Sequence, residues 1–483
     1  MDNRAIRSKA LMGSIWKFLE RIIAQGISMV VSIVIARHLT PDEYSVVGIV
    51  VIFFAFADVF ISGGFNTALV QKKNADMNDY SSVLILSITV SIICYAILFF
   101  SAPWIASIYK KPLLIQVIRV MSLILPVNAI KSILCAYISS KLQFRRFFFA
   151  TIGGTIVSGV VGIYMAMNGF GPWALVAQQM TNSIIDTVIL LLTTKIKLSF
   201  VLYFDRVKQL FKYGWKIFVT SLLIKFYAEI NPMIVGIKYS TEQLSFYTKA
   251  NSFPLLISST CTNTLSAVLF PVLAKYQDDK EALLRYTRRF IRLSSFLIFP
   301  MMLGLYSVAE NFISLLLTDK WLPAVPFIRV FCIAYMFDVI HVGNCETIKA
   351  MGRSDVYLKM EIIKKTCYFI IIAMFVFASS SPLVLSISTI ACTFVAIIVN
   401  SIPNIKLLGY SLRMQIKDLL PNFISAVVMC IIVMLVNSVK CNTGLKFIIQ
   451  FLVGFCSYVL IALATKNDSI MYLKELVSER MKK

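Results

Sequence analysis

Lys17, Arg21, Gln25 and Ser28 recur at three- and four-residue intervals inside an otherwise apolar run, and Ser221, Lys225 and Glu229 repeat the pattern about two hundred residues later. On a helix this spacing gathers polar groups into a single stripe. Exposing an ionised side chain to hydrocarbon at a membrane centre costs about 2.5 kcal/mol or more, so such residues must face a wet cavity or a partner. Arg21 and Lys225 suit a diphosphate, while Gln25, Glu229 and the hydroxyls suit hydrogen bonding to a polyol. Lys131 and Lys249 are further cations in apolar runs and join the same candidate cavity set. For Lys225 and Glu229 a second reading stays open, in which an i,i+4 ion pair only neutralises both. Lys17 has a rival role too, snorkelling to the membrane surface.

Three carboxylates in apolar runs, Asp58, Glu229 and Asp338, could change protonation or ion occupancy between two conformations. That chemistry would couple the protein to H+ or Na+; neutralising a nearby lysine is the alternative. Asp338, His341, Cys345 and Lys349 share one helical face. No GxxxxGK[ST] loop offers a nucleotide-driven route. The ten cysteines are widely spaced and there are two histidines, so no metal site, disulfide framework or organic cofactor is expected.

The elements holding these residues follow from composition. The chain has 483 residues, 58% of them hydrophobic and 15% charged, with a mean hydropathy of +0.80. An average soluble domain is about 45–50% apolar and about 25% charged, so the chain reads as an all-α integral membrane protein. Fourteen spans are predicted, near 13–37, 43–64, 80–107, 113–139, 146–168, 172–194, 210–237, 242–273, 287–309, 323–349, 356–379, 382–405, 416–437 and 445–465. The net charge of +23 lies largely in the short connections between them, which makes it a topology signal and not a nucleic-acid footprint. With both termini placed in the cytoplasm, roughly 28 basic residues fall inside and 6 outside. "MDNRAIRSKALMGS" lacks a small-residue cleavage site and is expected to be retained.

"IARHLTPDEYSVVG", residues 35–48, stops one helix and starts another: Thr40 is an N-cap, Pro41 fits the first helical position, and Glu43 completes a capping box. "YSTEQLS" at 239–245 repeats that logic, and the Trp-Lys pairs 16–17 and 215–216 match at nearly the same offset. "IRVMS" at 118–122 matches "IRVFC" at 328–332. These matches predict a duplication: an N-lobe over 1–197, a C-lobe over 198–407, two further helices over 408–465, and an amphipathic tail over 466–483 carrying Ile470, Leu473, Val477 and Met481 on one face. Six spans per repeat give two parallel lobes, with a substrate path expected at their interface. Pro232 and Pro254 invite hinges in helices bordering that path, and Gly154, Ser158 and Gly162 suggest close helix packing.

The "ARHLTPDEYSVVG" wording, fourteen spans, the six-plus-six-plus-two order and the basic profile resemble the polysaccharide exporters of the multidrug/oligosaccharidyl-lipid/polysaccharide (MOP) superfamily, in particular the O-antigen, colanic-acid or teichuronic-acid type. The resemblance implies two lobes around a central cavity in the bacterial inner membrane. It also implies a cargo of isoprenoid-diphosphate-linked oligosaccharide carried by alternating access, with membrane lipids and a polymerase or glycosyltransferase complex as partners. A multidrug or peptidoglycan-precursor exporter shares that outline. A membrane-embedded glycan polymerase or acyltransferase is the rival from another class, but no outer loop gathers the His, Asp and Glu that acid-base or metal chemistry requires.

Overall fold

The computed structural model describes residues 3–72, 75–194, 196, 201–378, 380–438, 441–465 and 467–471. It is helical throughout these residues, and 12 of its helices or helix pairs are long and apolar enough to cross a membrane. The chain forms two compact units that divide between Ser245 and Phe246. The sequence places that boundary at 197/198. It falls later because the first helix of the expected C-lobe packs within the first unit.

The first unit comprises α1 (Asn3–His38), α2 (Pro41–Ser62), α3 (Phe65–Gln71), α4 (Met77–Ile108), α5 (Leu113–Met121), α6 (Ile124–Ser140), α7 (Phe144–Met167), α8 (Trp173–Thr194) and α9 (Phe204–Lys238). The predicted 43–64 span stops at Gly63 and Gly64, both left-handed, with φ of +48° and +73°, and α3 continues beyond them, so that Pro41–Gln71 makes one candidate span broken at the glycine pair. A Cβ on Gly64 would overlap the Gly214 carbonyl of α9. The glycine pair therefore lets α9 approach backbone to backbone. The 113–139 span is also broken, at Ser122 and Leu123. Pro126 explains this, since its ring opposes a helical bond to the carbonyl of Ser122, which instead accepts the Leu125 amide at 3.1 Å.

The Thr40 capping box forms as expected, with the Glu43 amide 3.2 Å from Thr40 Oγ1 and the Thr40 amide donating to Glu43 Oε2 at 2.8 Å. Asp42 accepts Lys111 Nζ at 2.6 Å and Thr241 Oγ1 at 3.3 Å, so the two capping segments meet at one carboxylate. In the second segment Ser240 caps the amide of Gln243 at 3.1 Å. Gly154 and Gly162 lie where α7 meets its neighbours: a Cβ at Gly162 would fall 2.9 Å from both Gln178 of α8 and Ile35 of α1.

At the opposite end of α9, Arg206 pairs with Asp76, the N-cap of α4, and reaches Asp79 at 3.4 Å, while Lys72 holds Asp79 at 2.8 Å. The Arg206 guanidinium holds the Asp76 carboxyl below its ordinary value of 3.8. A carboxylate with a depressed folded-state pKa stabilises the fold above its unfolded value and loses that contribution as pH falls through the folded one. The wild-type thermal midpoint should therefore lose this contribution only in acid, below the ordinary value. Asp76→Asn should lower the midpoint at neutral pH and flatten the acid limb, as measured by melting purified protein across pH; equal acid limbs in both proteins would contradict the assignment.

The second unit carries the body of α10 (Thr241–Lys275), then α11 (Lys280–Leu317), a 3-10 turn over Asp319–Ala324, α12 (Val325–Met336), α13 (Asp338–Ala350), α14 (Ser354–Ala378), α15 (Pro382–Leu408), α16 (Leu412–Leu435) and α17 (Thr443–Ala464). The predicted 323–349 span divides at Phe337 into α12 and α13. Helix α10 also has the length of a span and an uncharged stretch over 253–273, and α14 has the length of a span but carries Lys359, Glu361, Lys364 and Lys365 in its first half. Buried amides knit α13, α15 and α16: Asn404 donates to Asn344 at 2.9 Å, and Asn344 and Ser401 donate to Gln415 at 3.1 and 3.0 Å. In a membrane such interhelical bonds contribute about 0.6 kcal/mol each on average. Of the predicted amphipathic tail, only residues 467–471 lie among the described residues.

Candidate functional site

Side chains from four helices of the first unit meet in a cleft of about 620 Å³. Helix α2 contributes Asp58, α6 contributes Asn128 and Lys131, α8 contributes Ser183, and α9 contributes Ser221 and Lys225. Each sits on a helix whose other faces are apolar, so the helix periodicity turns isolated polar residues inward to one place. Asn128 Nδ2 donates to Asp58 Oδ1 at 3.4 Å. Lys131 Nζ lies 2.6 Å from Asp186 Oδ2, and the Asp186 side chain is only 4% exposed. Lys225 and Glu229 lie one turn apart on α9. The cleft thus presents two ammonium groups, one carboxylate, one amide and several hydroxyls against an aliphatic wall that includes Ile224 and Val59. That inventory suits an anion bearing hydroxyl groups.

The other expected residues lie elsewhere. Arg21 and Gln25 sit on α1, outside the lining of this cleft; Arg21 is exposed and Gln25 half-buried. One turn away Lys17 pairs with Glu20 at 2.6 Å and stands 4.6 Å over the Phe147 ring, which fixes it against α7. Lys249 and Asp338 belong to the second unit. Lys249 is buried, 6.0 Å from the Phe253 ring centroid. Ser258 donates to Asp338 Oδ2 at 2.5 Å, and Tyr335 donates to Asn251 at 2.7 Å nearby. The helices run unbroken through Pro232 and Pro254.

The sequence expects no metal site, yet the fold brings His341, Cys345 and Glu361 together, their ligand atoms within 4.8 Å of one another. The His341–Cys345 spacing is visible in the sequence; Glu361 arrives from α14 by tertiary packing. Glu361 Oε1 accepts Lys364 Nζ at 2.5 Å, and His341 Nδ1 meets the Asn400 amide. Sequence reasoning also overlooked Asn128, because a neutral amide in an apolar run gives no charge signal, and it gave Lys131 no partner, where the fold supplies Asp186.

Membrane-crossing helices that turn ionisable residues into a shared cleft define a multi-pass membrane protein of transporter architecture. The fold matches a lipid II flippase MurJ in an inward closed conformation with a TM-score of 0.77 at 16% identity, covering 95% of this chain and 100% of that one. It also matches an inward-facing multidrug resistance MATE transporter of the MOP superfamily with a TM-score of 0.64 at 13% identity, covering 81% of this chain and 99% of that one. The chain belongs to the polysaccharide biosynthesis protein family, whose model matches residues 34–326. Among relatives, the succinoglycan biosynthesis transport protein ExoT of Rhizobium meliloti is 23% identical over 66% of this chain; the match spans 65% of ExoT, just under two thirds of its length. The teichuronic acid biosynthesis protein TuaB of Bacillus subtilis is 22% identical over 73% of each chain. The lipopolysaccharide biosynthesis protein WzxC of Escherichia coli is 20% identical over 74% of each.

Proposed function

We propose that the protein flips an isoprenoid-diphosphate-linked oligosaccharide from the cytoplasmic to the outer leaflet of a bacterial inner membrane, by alternating access, during polysaccharide assembly. The observation that carries this reading is the convergence of Lys131, Lys225, Asp58, Asn128 and serine hydroxyls in one cleft among apolar helices. Lys131 and Lys225 attract the diphosphate, and the amide and hydroxyls meet sugar hydroxyls. Arg21, Gln25 and Glu229 are further candidate groups on the first unit and Lys249 on the second, and Pro232 and Pro254 are candidate points of bending. The basic-residue bias puts both termini in the cytoplasm. A polymerase or glycosyltransferases act beside it on the same lipid-linked units, and membrane lipids accommodate the isoprenoid tail. No reaction is assigned to the protein itself. Coupling to H+ or Na+ falls first to Asp58, which lies within the cation field of the cleft, then to Glu229 and Asp338.

The test is a deletion strain. It should accumulate lipid-linked repeat units whose sugars are protected from reagents outside the inner membrane, and the wild-type gene should release them. Lys225→Ala, with normal protein level, should lower complementation about tenfold, the loss of a charge-assisted bond of about 1.5 kcal/mol. Asp58→Asn should flatten the pH dependence of export. Normal export by Arg21→Ala, Lys225→Ala and Asp58→Asn alike would end the phosphate-and-coupling reading; repeat units already exposed in the deletion strain would end the flippase reading.

A further inference from the structure

Helix α11 carries a second charged feature, outside the cargo cleft and independent of it. Arg285, Arg288, Arg289 and Arg292 follow one another at intervals of three and four and line a cleft of about 590 Å³ together with Leu293 and Asp468. Two of the four are fixed from behind. The Asp418 carboxylate of α16, fully buried, accepts Arg288 Nε and Nη2 at 2.8 Å each and Arg292 Nε at 3.0 Å, and Tyr410 donates to it at 3.0 Å. Arg292 Nη1 also reaches Asp468 at 2.9 Å. Arg285 and Arg289 are exposed on the outer lip. Among the described residues the cleft lining holds these four guanidiniums and two carboxylates, Glu281 and Asp468, with Asp418 behind it.

The same helix ridge changes character one turn further along. The i,i+4 row through Arg285 and Arg289 continues as Leu293, Leu297 and Met301, of which Leu297 is 46% and Met301 45% exposed. A cationic cleft that runs straight into an exposed apolar ridge has the polarity of an amphiphile: a charged head above, a hydrocarbon chain below. We propose that this cleft binds the phosphate headgroup of an anionic glycerophospholipid, with an acyl chain along Leu293, Leu297 and Met301. Guanidinium forks grip phosphate oxygens in pairs, and basic pockets between membrane helices capture anionic headgroups in this way. Asp418 pre-orients Arg288 and Arg292, so these two guanidiniums lose little freedom on binding.

The experiment uses the purified full-length protein in detergent, titrated with long-chain phosphatidylglycerol or phosphatidylcholine. The wild type should bind phosphatidylglycerol at least about tenfold more tightly, a step worth one charge-assisted contact. Arg285→Gln/Arg289→Gln should erase that preference in protein that remains folded and monodisperse by size exclusion. Leu297→Asp keeps every arginine and should weaken long-chain but not short-chain phosphatidylglycerol. The proposal falls if the double variant keeps the preference. It also falls if millimolar inorganic phosphate abolishes binding, which marks a free-anion site, or if an equimolar polyisoprenyl phosphate displaces the phosphatidylglycerol, which marks a cargo site.

Discussion

Gly64→Ala should cost about 3–5 kcal/mol and remove most of the folded protein from the membrane, the sum of a left-handed alanine and an overpacked contact. Gly64 has φ +73°, and its missing Cβ would overlap the Gly214 carbonyl and come within 3.1 Å of the Phe218 amide. Both neighbours are backbone of α9, so relief requires moving a whole helix. Gly352→Ala separates the two causes. Gly352 has φ +70° and nothing within 4 Å of its would-be Cβ, so alanine there should cost only about 1–2 kcal/mol of backbone strain. Comparing melting midpoints and yields of monodisperse protein decides the matter. Equal losses in the two variants would mean that the α2–α3 break does not hold α9.

Lys131→Met should be nearly as damaging, at about 3–5 kcal/mol, because it leaves a buried carboxylate alone. Asp186 is 4% exposed and its partner Lys131 29% exposed, so the lysine bridges a dry contact and the open cleft. Lys131→Met with Asp186→Asn removes both charges and should recover most of the lost stability. Export is expected to stay low in that double variant, because its cleft has lost one of two ammonium groups. Full export by the double variant would reduce the pair to a structural device and leave Lys225 as the cleft's cation.

The membrane class and the helical spans were legible because hydrocarbon burial writes itself into long apolar runs. The Thr40–Glu43 capping box was legible because its partners are three residues apart. The cleft was not: Asp58, Lys131, Asp186 and Lys225 lie on four helices, and only packing decides which polar stripes meet. Charge alone therefore paired Lys225 with Arg21, whereas the fold puts Lys225 in a cleft with Lys131 and Asp58. The break at 122–123 was hidden, since Pro126 sits within a run whose hydropathy does not change, and the span expected to end at Gly64 gave no sign that α3 continues it. Helices α10 and α14 were expected as spans and have that length; the charges of α14 are gathered in its first half, which leaves its second half apolar.

Helix α9 is supported along its length in an uneven way. Arg206 ties its start to Asp76, Gly214 rests on Gly64, and just beyond its end Thr241 bonds to Asp42. Between Gly214 and Lys238, ring contacts such as Phe60–Phe218, with centroids 5.3 Å apart, and Phe56–Phe226, at 6.3 Å, brace it against α2. A beam pinned at both ends deflects at its middle and not at its tips. Ser221, Lys225 and Glu229 occupy that middle, with Pro232 one turn beyond, so the width of the cleft is set by how far α9 bows. The ammonium that faces the cargo would then ride on the part of the helix with the largest travel.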